Sequence, residues 1–80
     1  MKPNVNFLRK VADRKVYATM GYKPKRGAVY GFVGGEKTAN AHAKAGYCTM
    51  PYGAALGRPA YAESTDKGRA VLEEVEKEQP

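Results

Sequence analysis

The sequence predicts an α+β protein, with short helices packed on a small antiparallel sheet that includes a β-hairpin. Three observations lead there. An Ala-rich segment, Glu36 to Ala45, stops at Gly46, as a helix closed by a left-handed glycine does. Two aromatic-bearing runs, Tyr47–Tyr52 and Arg58–Ala62, flank a Gly-bounded tip at Gly53–Gly57, the pattern of a long hairpin. Thr65 then precedes Asp66 and an apolar-periodic run, the signature of a capped final helix.

Taken in order, the chain opens with a short start in which Asn4 or Asn6 can cap a first helix. Val5, Leu8, Val11 and Ala12 recur at the helical period, Phe7 and Val11 add a second pair, and Arg9, Lys10, Asp13 and Arg14 fall on the other side. Val16–Met20 is short and β-prone, and Ala28–Val33 reads as a second strand ended by Gly34-Gly35. Between them, Gly21–Gly27 is expected to be a loop, placing Lys23, Lys25 and Arg26 at the tip of a strand connection beside Tyr22. Residues 20–35 hold too many glycines and β-formers for a convincing second helix. That helix is expected to be reduced to a turn or replaced by a strand pair. In the final helix Val71, Leu72, Val75 and Gln79 share a face, and Glu73, Glu74, Glu76 and Glu78 form the outer side. That helix is expected to pack on the first helix, or on its counterpart in a homodimer.

Eighty residues make one domain, expected to span 1–80 with 1–4 and 77–80 frayed. With 42% hydrophobic residues, many of them alanine, the core leans on Tyr, Phe and Val. A single cysteine excludes an internal disulfide, and Cys48 with His42 offers two metal ligands at most. No cofactor is expected. No apolar run approaches the roughly 20 residues of a membrane span, and no signal-peptide pattern opens the chain. The expected location is the cytoplasm, on the nucleoid if DNA is the partner.

Charge is the strongest global signal. The net charge of +6 divides into +7 over residues 1–26, +2 over 27–62 and −3 over 63–80. A basic body with an acidic last helix matches a phosphate backbone as partner. On the Ala-rich helix, Ala39, His42, Ala43 and Gly46 project to one side, and Lys37, Asn40, Ala41 and Lys44 to the other. Asn can pair with adenine in a major groove, and Lys can reach guanine acceptors or phosphates. A solvated face carries such residues too, and the position before a hairpin is what singles this helix out. Arg58, beside Gly57 and Pro59, is placed to grip a minor groove or phosphate. The candidate nucleic-acid contacts are therefore Lys23, Lys25, Arg26, Lys37, Thr38, Asn40, Lys44 and Arg58. No nucleophile, acid/base pair or metal-binding signature accompanies His42, which reads as a packing residue where an aliphatic would sit. Cys48 reads as a small hydrophobe in a strand.

Ala45-Gly46-Tyr47-Cys48, the Gly/Arg-containing hairpin, Tyr61, and Thr65-Asp66-Lys67-Gly68-Arg69-Ala70-Val71-Leu72 together resemble the tail of small winged-helix regulators of the bacterial and phage type. The likeness spans residues 36–75. It departs where His42 and Tyr47 stand for leucines and Ser64 for an aliphatic. The resemblance implies a winged helix-turn-helix-like fold and a non-enzymatic regulator that reads double-stranded DNA. Lys37, Asn40 and Lys44 would then be groove-facing, with Arg58 on the wing. A second reading is a protein-binding inhibitor module of phage-encoded type, anchored by Tyr22, Tyr30, Tyr52 and Tyr61, that blocks a host nucleic-acid enzyme.

Overall fold

The structure is a computed structural model and describes residues 1–78. Asn4 starts helix α1 (Val5–Ala12) by accepting the Phe7 N–H on its side-chain oxygen at 3.0 Å, a cap worth about 1 kcal/mol. Helical spacing then sends Phe7, Leu8 and Val11 into the core. Asn4 is not frayed, because its own N–H donates to His42 Nε2 at 2.9 Å.

Helix α1 ends with the Arg14 N–H on the Val11 carbonyl (3.1 Å) and the Lys15 N–H on that of Lys10 (2.9 Å). Helix α2 (Glu36–Lys44) ends the same way, with Gly46 on Ala43 (3.0 Å) and Tyr47 on His42 (2.9 Å). This double closure puts one residue in the left-handed region, normally a glycine. Gly46 supplies it at φ +88, whereas Arg14 takes φ +59. A side chain there costs about 1 kcal/mol.

Strands β1 (Tyr17–Lys23) and β2 (Gly27–Val33) pair antiparallel from Tyr17↔Val33 to Lys23↔Gly27. A two-residue β3 (Ala60–Tyr61) lies along the other edge of β1, giving the order β2-β1-β3. The sheet therefore fills the stretch where no second helix is evident in sequence. The expected loop Gly21–Gly27 contracts to residues 24–26: the register carries Gly21, Tyr22 and Lys23 into β1, Pro24 enters the turn, and the Arg26 N–H closes it on the Lys23 carbonyl at 3.0 Å.

The expected hairpin between Tyr47–Tyr52 and Arg58–Ala62 does not form as a ladder. Its arms meet at the base, Cys48↔Ser64, and at the tip, Ala55↔Arg58. Pro51 and Pro59 lack N–H donors, and the Tyr52 N–H turns back onto Met50. The return arm pairs instead with the free edge of β1, Tyr17↔Tyr61, and Ala62 donates to the Val16 carbonyl at 2.9 Å. The regular hairpin is thus β1–β2, ahead of α2.

Helix α3 (Asp66–Glu78) packs on α1, continues through Glu78, and leaves Gln79 outside the described residues. Its first turn clasps the end of α2. Thr65 Oγ accepts the Gly68 N–H (3.2 Å) and donates to the Gly46 carbonyl (2.6 Å), while Lys67 Nζ donates to the Ala45 carbonyl (2.7 Å). A cation on a helix C-terminus also answers its dipole. Arg69 pairs with Asp66 and donates to the Ser64 carbonyl. Thr65 and Lys67 thus fasten α3 to the end of α2, while Arg69 bonds within the start of its own helix.

Phe7, Leu8, Val11, Val16, Ala39, Cys48 and Ala62 make the core, with Phe32, Val71 and Leu72 packed against it. No described helix is long and apolar enough to cross a membrane.

Candidate nucleic-acid interface

Alternation along β1 divides the sheet into two faces. Val16 and Ala18 are fully buried on the helix-covered face, so Tyr17 and Thr19, with Tyr61 opposite Tyr17, lie on the other. Beyond Met20 the ribbon leaves the core: every residue from Gly21 to Arg26 is exposed. Lys23, Lys25 and Arg26 thus cluster at the end of a projecting two-stranded arm, with Tyr22 beside them at 66% exposure. The sole ion pair among the described residues, Arg69 with Asp66, lies on α3. The arm's cations are free of carboxylate partners.

On α2, Ala39 and His42 are buried while Lys37, Asn40 and Lys44 are exposed, as the helical spacing predicts. Lys37 and Asn40 line a groove of about 380 Å³ with Tyr30, Glu36, Met50 and Tyr52. Tyr30 Oη donates to the Glu36 carboxylate at 3.0 Å. Partial desolvation, and then that carboxylate, hold the Tyr30 hydroxyl above its ordinary pKa. Tyr52 is 83% exposed on the groove's far side.

Two candidates separate from these groups. Thr38 turns away from Lys37 toward a hollow formed with Asn4, Asn6, Lys10 and Gly34. Arg58 sits in the Ala55–Arg58 turn and lines a groove with Tyr17 and Tyr61, on the sheet face opposite the helices. The eight residues therefore form two groups, ribbon tip and α2 face, with Thr38 and Arg58 outside both. The sequence places the arm cations on the connection between two strands but ends the first strand at Met20, three residues before β1 ends, and it does not show the Tyr30–Tyr52 groove.

His42, 3% exposed, is held at both ring nitrogens: Nδ1 meets the Thr38 carbonyl at 2.8 Å and Nε2 accepts from Asn4. That pattern selects the tautomer protonated at Nδ1. Its ring lies between Phe7 (4.8 Å) and Tyr47 (6.1 Å), so it joins α1 to α2 as a hydrogen-bonded core residue.

Cys48 is buried with its thiol toward the Ala39 carbonyl, and burial pushes its pKa above that of a free thiol. A folded-state pKa raised in this way leaves stability intact below about pH 9 and erodes it as the unfolded thiol ionises above that. We expect maleimide to label Cys48 only as fast as the chain unfolds, and the denaturant midpoint to fall above pH 9. Rapid labelling of the native protein at pH 7 would contradict this burial.

No family model, curated protein or solved structure matches the chain.

Proposed function

We infer that the protein is a non-enzymatic DNA-binding regulator of the cytoplasm that grips duplex DNA with the β1–β2 arm and reads it with the outer face of α2. The observation that supports this best is the arm's tip, where three cations project with no acid to neutralise them. A two-stranded ribbon is narrow enough for the roughly 12 Å major groove of B-DNA. The winged-helix regulators that residues 36–75 resemble carry their wing after the reading helix, whereas here the ladder-forming hairpin precedes α2, so the arm's charge, and not that likeness, supports the reading.

The test is a salt series with random-sequence duplex. Counting Lys23, Lys25, Arg26, Lys37, Lys44 and one α1 cation as about six phosphate contacts, affinity falls about a thousandfold from 50 to 200 mM salt. A salt-insensitive complex, or none at low salt, rejects the reading. Asn40→Ala is then expected to reduce discrimination between selected and random duplexes by about 1–3 kcal/mol. Lys44→Ala lowers affinity for all duplexes alike.

Exposed aromatics support a second reading. Tyr22, Tyr52 and Leu56 are all more than half exposed, which suits anchors for a protein partner such as a host nucleic-acid enzyme. In that case Tyr52→Ser abolishes capture of the partner while duplex binding persists.

A further inference from the structure

The sheet face opposite the helices carries a feature that the duplex reading does not use. Tyr17 and Tyr61 face each other across β1 and β3 with ring centroids 5.5 Å apart. Beside them, the Ala55–Arg58 turn and Pro59 close one wall of an open groove of about 360 Å³. Its lining includes Thr19, Met20 and Arg58 and no carboxylate. The Arg14 guanidinium lies over the Tyr61 ring, 4.2 Å from its centroid. Glu63 shares the adjoining hollow with Arg14, yet the two make no ion pair.

Arg14 supplies an independent observation. It occupies the left-handed position closing α1, where the same motif on α2 has Gly46. Backbone geometry alone favours glycine there. An arginine held in that conformation, with its guanidinium laid on Tyr61, points to a use for the side chain beyond ending the helix.

We propose that this groove is a stacking site for one unpaired nucleobase of a single-stranded nucleic acid, with Arg58 and Arg14 taking the flanking phosphates. Aromatic faces provide sequence-tolerant stacking, and two cations beside a carboxylate-free groove complement the strand's charge. The groove is large enough for a base and open along one side, so a strand can enter and leave. This site shares no residue with the arm tip or the α2 face, so it stands or falls separately from duplex binding.

The probe is a labelled ten-nucleotide oligothymidylate, compared with a ten-unit abasic deoxyribose phosphate and with duplex DNA. Native protein is expected to bind the thymidylate about tenfold more tightly than the abasic chain and to lose tyrosine fluorescence on binding. Tyr61→Leu, which keeps an apolar residue in β3, removes that tenfold preference. Arg58→Gln, on an exposed turn, lowers the thymidylate salt slope by about 0.7. Arg14→Gly relaxes the backbone, so its melting temperature holds or rises while thymidylate affinity falls about fivefold. Duplex affinity is unchanged in all three. Equal binding of thymidylate and abasic chain by the native protein, or an unaltered salt slope in Arg58→Gln, overturns the proposal.

Discussion

Replacing Lys23, Lys25 and Arg26 together by alanine is expected to flatten the salt dependence of duplex binding. Each phosphate contact contributes about 0.9 to the slope of log affinity against log salt, so three lost contacts remove about 2.7. From 50 to 200 mM salt the native protein then loses about a thousandfold in affinity and the variant about fortyfold. All three side chains are exposed at the end of the β1–β2 arm and make no ion pair. The thermal transition and far-UV spectrum should therefore be those of the native chain. The acids of α3 lie on a helix that packs against α1. Equal slopes for variant and native protein would show that the arm does not touch the duplex, even if binding itself persists through α2.

The second large effect is on stability, and its sign is the informative part. Gly68 lies in the first turn of α3, where alanine is ordinarily the better helix former by about 1 kcal/mol. A surface helix would therefore gain from Gly68→Ala. Here the added methyl would overlap the Tyr47 carbonyl oxygen, with the carbonyl carbon 3.1 Å away. Backbone cannot swing aside as a long side chain can, and the clasp from Thr65 and Lys67 to the end of α2 holds it there. We expect the substitution to cost about 2–3 kcal/mol, lowering the melting temperature of so small a domain by about 10–20 °C. A raised melting temperature would mean that α3 does not seat on Tyr47. The same contact explains why Gly68 follows Thr65 at its spacing: the cap aligns the helix, and the missing side chain admits the neighbouring carbonyl.

The three helices and the candidate cations on α2 were legible in the sequence because neighbouring residues decide them. Asn4 caps α1, Gly46 closes α2 and Thr65 caps α3 through bonds that reach only three or four residues along each helix. The buried Ala39 and His42 and the exposed Lys37, Asn40 and Lys44 likewise follow from a fixed turn per residue. His42 is a packing residue, as its place among the small residues of α2 indicates. Its two hydrogen bonds to Asn4 and Thr38, which let an imidazole replace an aliphatic there, depend on α1 arriving beside α2.

Strand partnership was settled at longer range. Residues 47–62 and 16–33 each carry three tyrosines between glycines, but Val16, Thr19, Val29 and Val33 give the second stretch four β-branched residues against Thr49 alone in the first. Two prolines without N–H groups weaken one pairing, and an unoccupied edge on β1 receives the returning arm. That choice moved the regular hairpin ahead of α2 and left Arg58 in a groove with Tyr17 and Tyr61, apart from the ribbon tip and from the groove of Lys37 and Asn40. Local chemistry along the chain determined the helices and their polar faces, because caps and periodicity need only near neighbours. Tertiary structure alone decided which strands meet and which charges share a surface, because hydrogen bonds between distant segments go to whichever edge is free.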